Sequence, residues 1–182
     1  NNNKILNTDK IKLLGQHNLS NILAAVTVAK IIGVSNTNIA KAINNFKGVD
    51  YRLQYIGKYK HAKIYNDSTS TTPDAGKAAL LAVSAKTILI TGGVDKGLDY
   101  SQMAKAIKQK ASLVIILSGS VGKKLLPELK KLKYTNIISN INSLSKAWQL
   151  AKKNLSDKEK SILFSPAGAS FNMFTNDFDR AR

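Results

Sequence analysis

From residue 55 onward, short β-favouring runs alternate with helix-favouring ones, and that rhythm leaves few folds open. Strands are expected near 55–59, 62–66, 86–91, 112–118, 135–139 and 160–165. Helices are expected near 73–84, 100–110, 121–132, 142–154 and 169–175. Alternation of this kind predicts an α/β fold, with a mostly parallel sheet and helices on both faces. The residues ahead of it read differently. A helix carrying Ile22, Leu23, Ala25, Val26, Ala29 and Ile32 stops at Gly33, and a second runs from about Asn36 to Phe46 behind Ser35 as N-cap. Its apolar positions Ile39, Ala42, Ile43 and Phe46 are expected to face inward. The switch from helices to strand–helix alternation falls within 47–54, which predicts a helical piece over 1–47 and a second domain over 48–182.

Open α/β sheets bind ligands outside the carboxyl ends of their strands, so the strand-to-helix turns are where function is expected. The richest is Asn66-Asp67-Ser68-Thr69-Ser70-Thr71-Thr72-Pro73-Asp74-Ala75, between the strand ending near 66 and the helix starting near 73. Thr71 or Thr72 as N-cap and Pro73 at the first helical position account for the end of the run. The remaining hydroxyls and the free backbone N–H groups suit an anionic ligand at a helix N-terminus, and an aspartate at a strand end can hold a metal-bound or ribose group. A second turn, Thr91-Gly92-Gly93-Val94-Asp95-Lys96-Gly97, bends tightly through its glycines and carries a mobile cation. It matches neither G-x-G-x-x-G nor G-x-x-x-x-G-K-[ST], so it is neither a dinucleotide fingerprint nor a P-loop. A third, Ser165-Pro166-Ala167-Gly168-Ala169-Ser170-Phe171, sets small residues and serines at a strand end. The three edges are expected to line one pocket. Ser118-Gly119-Ser120 reads as a structural turn and Trp148 as core.

Ahead of these edges, His17, Asn18 and Asn21 cluster in the first turn of a helix whose apolar face does not need them. Asn18 can serve as a cap, or Asn18 and Asn21, three residues apart on one face, can together hydrogen-bond a planar polar ring. Arg52 in the joint is either solvated or able to reach a phosphate.

Composition closes several other routes. The chain has no cysteine and only His17 and His61 as histidines, which argues against a disulfide framework and a zinc or histidine metal centre. No membrane insertion is expected from its apolar runs, and a cytoplasmic setting is the default. The formal charge of +17 is almost all lysine spread along the helices, with no arginine tract or aromatic–basic pattern. A solvated basic surface is favoured over a nucleic-acid partner.

Five motifs occur in order: Gly15-x-His17-Asn18-x-x-Asn21, Tyr51-Arg52, Asn66-Asp67-Ser68-x-x-Thr71, Gly92-Gly93-x-Asp95-Lys96-Gly97 and Ser165-Pro166-Ala167-x-Ala169-Ser170-Phe171. Together they resemble the ATP-dependent Mur ligases of peptidoglycan synthesis, and within that family the branch that adds D-glutamate to UDP-N-acetylmuramoyl-L-alanine. The resemblance implies the end of the central ATPase domain over 1–47, then the Rossmann-like C-terminal, amino-acid-binding domain over 48–182. It implies that His17, Asn18, Asn21, Arg52 and Asp67 serve ATP, with Asn18 and Asn21 at the adenine, Arg52 at the phosphates and Asp67 on the nucleotide. It implies that Ser68, Thr69, Thr71, Lys96, Ser170 and Phe171 serve D-glutamate, and that Arg52 and Lys96 are the catalytic cations. Mg²⁺ ligands and the P-loop would lie upstream, so this stretch by itself is expected to be inactive, and the enzyme is expected to be a monomer.

Departures from the family pattern are Thr69 at a usual lysine, Gly168 at a usual cysteine, and Asp177 beside Phe178 where a phenylalanine is common. Other members of the superfamily with a different amino acid, and a non-catalytic anion- or nucleic-acid-binding domain, are the alternatives.

Overall fold

A computed structural model describes residues 4–83, 86–170, 174–176 and 179–180. The chain divides into two compact units, Asn1–Val49 and Asp50–Arg182.

In the first unit a 3-10 turn, Thr8–Lys10, precedes helices α1 (Gln16–Ile31) and α2 (Asn36–Asn45). Gly15, with φ 94°, opens α1. Gly33 closes it in the left-handed region, with the Val34 N–H donating to the Ala29 carbonyl at 2.9 Å. Ser35 caps α2 as expected, accepting from the Asn38 N–H. The inward face expected of α2 is narrower than its apolar pattern: Ile39 is buried, but Ala42 and Phe46 are exposed. No residue of α1 is buried, and Leu23, Val28, Ile31 and Ile32 are 57–79% exposed. Two helices cover one stripe of each other, and a helix apolar on several sides needs further neighbours.

The second unit is a six-stranded sheet in the order β1-β2-β6-β3-β4-β5. Strands β1 (Gln54–Tyr59) and β2 (Ala62–Asn66) form an antiparallel hairpin with a bulge between Tyr55 and Gly57. The other pairs, β2 with β6 (Ser161–Phe164), β6 with β3 (Thr87–Thr91), β3 with β4 (Ala111–Leu117) and β4 with β5 (Ile137–Ile141), are all parallel. Helices α3 (Pro73–Ala82), α4 (Ser101–Lys110), α5 (Ser120–Lys131) and α6 (Leu144–Lys153) connect them. The expected α/β architecture is the one observed.

Strand alternation sorts the core into two layers. Leu89, Val114, Ile116 and Leu163 pack with Leu80, Met103, Ile107, Val121 and Leu125 from α3, α4 and α5. Ile88, Ile90, Ile115 and Ile162 point the other way, to Ala147 and Ala151 of α6, with Trp148 half-buried beside them. Trp148 also meets the Tyr59 ring edge-on, at 6.0 Å between centroids. Both faces of the central strands are thus covered, as near-continuous apolar runs require.

Two of the departures from the expected elements have a visible cause. Strand β5 begins two residues later than the pattern suggested, at Ile137. Lys133, with φ 55°, closes α5 in a left-handed turn in which the Tyr134 N–H donates to the Leu129 carbonyl, and this uses up the intervening residues. The expected helix over 169–175 does not begin at Ala169, which forms an antiparallel bridge with Val94 through bonds of 2.8 and 2.9 Å. Phe171 to Met173 lie outside the described residues.

That bridge depends on the bare backbone of Gly93. A Cβ there would lie 2.5 Å from the Ala169 carbonyl oxygen, at φ +140°, whereas one on Gly97 at φ +77° would meet open space. Gly93→Ala is therefore expected to destabilise the fold by about 2–3 kcal/mol and Gly97→Ala by about 1 kcal/mol. Urea midpoints of the two variants, measured side by side, check the difference.

Candidate functional site

After β3 the chain proceeds to β4 and β5, then returns through α6 to place β6 on the opposite side of β3. This reversal is the topological switch point of the sheet, the place where open α/β folds form their ligand crevice. The turns after β2, β3 and β6 all emerge there.

Hydrogen bonds knit the three turns together. The Asp67 N–H donates to the Phe164 carbonyl at 2.8 Å, and the Ala167 N–H to the Ser70 carbonyl at 2.9 Å. Both the Gly92 N–H and the Thr91 hydroxyl donate to the Pro166 carbonyl, each at 2.9 Å. The Tyr100 hydroxyl donates to the Ala167 carbonyl at 2.9 Å, and burial holds its acidity below that of an ordinary phenol. Gly168 makes room for Val121: a Cβ at 168 would lie 2.5 Å from Val121 Cγ2 and 3.0 Å from the Val94 carbonyl oxygen. The three edges expected to meet do meet.

Within this frame the expected site residues separate into two kinds. Lys96 Nζ, from the turn after β3, donates to Thr71 Oγ1 in the turn after β2, at 3.1 Å. Both groups are accessible, and a cation beside a hydroxyl is a fitting pair for a carboxylate. The Ser170 hydroxyl is fully buried and lacks a hydrogen-bond partner among the described residues, so its bonding capacity is unspent. Thr72 caps α3, accepting from the Ala75 N–H, with Pro73 behind it as expected.

Ser68, Thr69 and Asp67 are turned to the protein instead. Ser68 is fully buried, its hydroxyl donating at 2.7 Å to Asn66 Oδ1, which also accepts from the Ser68 N–H. This Asx turn consumes the side chain, so Ser68 is not presented to a substrate in this structure. Thr69 donates both its N–H and its hydroxyl to the Tyr51 carbonyl, at 3.1 and 3.0 Å. Its hydroxyl is likewise spent internally. The Asp67 carboxylate is 5% exposed; one oxygen accepts from the Leu53 N–H at 2.9 Å and the other from the Ser165 hydroxyl at 2.8 Å. Burial pushes its pKa up to about 6, against the opposing pull of these bonds and of the nearby Arg52 charge. Arg52 itself is exposed.

In the first unit, Asn18 sits inside α1 rather than at the cap, with its amide donating to the Leu14 carbonyl at 2.8 Å. His17 is half-buried, and Asn21 is exposed one turn along the same helix. Phe171 and Asp177 lie outside the described residues.

Arg180 is a participant that the sequence did not single out. It is 1% exposed and its guanidinium donates to the Gly168 carbonyl at 2.8 Å and the Ser68 carbonyl at 2.7 Å, clamping two of the turns. Ser68 lies 112 residues away in sequence, so no local pattern could have announced the contact. Among the described residues no group of three or more histidines, cysteines, aspartates or glutamates is placed to hold a metal ion, and no helix is long and apolar enough to cross a membrane.

Solved structures place this architecture in a known class. It superposes with TM-score 0.66 on UDP-N-acetylmuramate-alanine ligase from Thermotoga maritima, at 23% identity, over 87% of this chain and 36% of that one. It superposes with TM-score 0.65 on folylpolyglutamate synthase from Mycobacterium tuberculosis, solved with ADP and AMPPCP, at 13% identity, over 86% of this chain and 39% of that one. At those identities the likeness defines the fold. Residues 51–168 match the family described as Mur ligase, glutamate ligase domain, and this chain belongs to that family.

Curated relatives agree. UDP-N-acetylmuramoylalanine--D-glutamate ligase of Oenococcus oeni is 39% identical over 176 residues, 95% of this chain and 39% of that protein. The ligase of the same name from Thermoanaerobacter sp. strain X514 is 36% identical over 180 residues, 98% of this chain and 39% of that protein. The chain spans about two fifths of the length of the curated relatives it matches.

The Asp67 shift has a consequence for stability. Its folded pKa, about 6, lies above the ordinary 3.8, so between those values the folded state binds a proton that the unfolded state has released. Stability from this group is full below about pH 4 and is lost as pH rises through 6, by on the order of 2–3 kcal/mol. Asp67→Asn keeps the shape without the charge. It is expected to match wild type near pH 4 and exceed it at pH 7, read from urea melts across that range.

Proposed function

We propose that this chain is the C-terminal part of an ATP-dependent ligase that joins D-glutamate to UDP-N-acetylmuramoyl-L-alanine during synthesis of peptidoglycan precursors in the cytoplasm. The observation that carries the reading is the meeting of Lys96 and Thr71 at the switch point, 3.1 Å apart across two turns. The names of the curated relatives, aligned over nearly the whole chain, support the choice of D-glutamate.

The chemistry assigns each group a task. In such a ligase the carboxylate of the UDP-sugar peptide attacks the γ-phosphate of ATP, forming an acyl phosphate and releasing ADP. The D-glutamate nitrogen then attacks the acyl carbon; an amide bond forms, phosphate leaves, and the nitrogen loses a proton. Negative charge gathers on the phosphoryl group in the first step, and the Arg52 guanidinium is the cation this chain offers to it. The second step needs an amino acid with two carboxylates held in a fixed pose. Lys96 and Thr71 would take one of them, and the Ser170 hydroxyl supplies a further donor. By the family resemblance, Asn18, Asn21 and His17 would serve the adenine. Among the described residues no group of acidic or histidine side chains is placed to hold Mg²⁺. ATP would be a substrate, in line with the folylpolyglutamate synthase solved with ADP.

The test is phosphate release by the full-length protein with ATP and UDP-N-acetylmuramoyl-L-alanine, offering D-glutamate against a panel of other amino acids. Release is expected with D-glutamate alone. Lys96→Ala is expected to lower kcat/KM for D-glutamate by about 10- to 100-fold, the loss of one charged hydrogen bond. Release with a different amino acid would reassign the acceptor, and no release with any would overturn the ligase reading.

A further inference from the structure

Arg52 is flanked by two residues in the left-handed region, Tyr51 at φ 62° and Leu53 at φ 45°. Neither is glycine, and backbone of this kind persists only where surrounding bonds over-determine it. Each flank is in fact tied down. The Tyr51 carbonyl accepts both bonds from Thr69, and the Tyr51 N–H donates to Gln54 Oε1 at 3.0 Å. The Gln54 amide in turn donates to Asp50 Oδ1 at 2.8 Å, which bridges the turn across Arg52. On the other flank the Leu53 N–H donates to the buried Asp67 carboxylate, whose second oxygen is held by Ser165.

We infer that Asp67, together with Thr69 and Ser165, positions Arg52. On this account the carboxylate serves Arg52 through the Leu53 amide. The inference rests on the proposed role of Arg52 at the ATP phosphates.

The geometry gives the arrangement a purpose. Asp67 and Ser165 directly follow β2 and β6, and the Ser165 N–H donates to the Ile90 carbonyl in β3. Arg52 is therefore indexed to the same three strand ends that bring Lys96 to Thr71. The cation for the phosphoryl group and the cation for the amino acid share one frame. A side chain as long as arginine explores many rotamers, so fixing its backbone removes much of the uncertainty in where the guanidinium can reach. The same accounting explains Thr69. A lysine there could not supply the hydroxyl that grips Tyr51, and this chain carries a positioning group where the family pattern has a second cation.

The experiment combines amide hydrogen exchange with turnover by the full-length protein. Asp67→Ala and Thr69→Val should each speed exchange of residues 51–53 by about tenfold or more, while Asp67→Asn, which still accepts from Leu53, restores protection. In turnover, Asp67→Ala should lower kcat by about 10- to 100-fold in the wild-type background and hardly at all when Arg52 is already alanine. Unchanged exchange in both Asp67→Ala and Thr69→Val, or a full Asp67→Ala effect in the Arg52→Ala background, would overturn the inference. If Arg52→Ala leaves turnover intact while the loosened exchange is seen, the reading of Arg52 at the phosphates falls and the structural hold on its backbone stands. If Asp67→Ala does not fold, Thr69→Val carries the same test alone, with the same expected exchange and the same non-additivity with Arg52→Ala.

Discussion

The structure turns on a four-residue strand. Ser161–Phe164 pairs on one edge with β2 and on the other with β3, so both of its edges and both of its faces are occupied. Parallel pairing on two sides demands that the chain come back from β5 across the sheet, and it is this return that creates the switch point. The ten residues from Ser161 to Ser170 are buried without exception. Most polar groups among them are met by their neighbours, and the bonds beyond the end of β6 lock the site loops: Asp67 with Ser165, Gly92 and Thr91 with Pro166, Tyr100 with Ala167. The crevice is thus made by the same contacts that complete the core.

A cost attends that arrangement. An aspartate kept from water next to apolar strands is costly to ionise, and the upward shift of Asp67 reflects it. Glu159, at the far end of β6, shows the opposite balance. It accepts from both the N–H and the hydroxyl of Ser156, and these bonds hold its pKa below the ordinary carboxylate range although burial opposes them. The two carboxylates bracket one strand, one held above the ordinary carboxylate range and one below it. Carboxylates shifted by burial concentrate at functional sites.

Much of this was legible in the sequence, for a definite reason. The α/β rhythm, the caps at Ser35 and Thr72, the turn-forming glycines and the three polar edges are local features, each written within a few residues of itself. Lys96 and Thr71 could be paired in advance because each closes a recognisable strand-to-helix turn. What the sequence could not disclose is direction. Ser68, Thr69 and Asp67 belong to the same polar run as Thr71, but the pleat and the turn send their side chains inward to Asn66, Tyr51, Leu53 and Ser165. The Arg180 clamp and the bridge at Ala169 were hidden because both depend on partners far along the chain. The exposure of Ala42 and Phe46 was hidden too, because an apolar stripe does not say whether another element lies against it.

Gly168 carries a last consequence. Its missing Cβ is space that Val121, at the start of α5, already fills to within 2.5 Å of where that atom would be. A larger residue at 168 calls for a smaller one at 121 or for the N-terminal turn of α5 to back away from the sheet, and in either case the Val94 carbonyl, 3.0 Å from the added atom, must give slightly as well. In a lineage that exchanges Gly168 for a cysteine, the compensation should be sought at Val121 before anywhere in the binding site. Substitutions at Gly168 and at Val121 on the helix behind it are therefore coupled through one shared space.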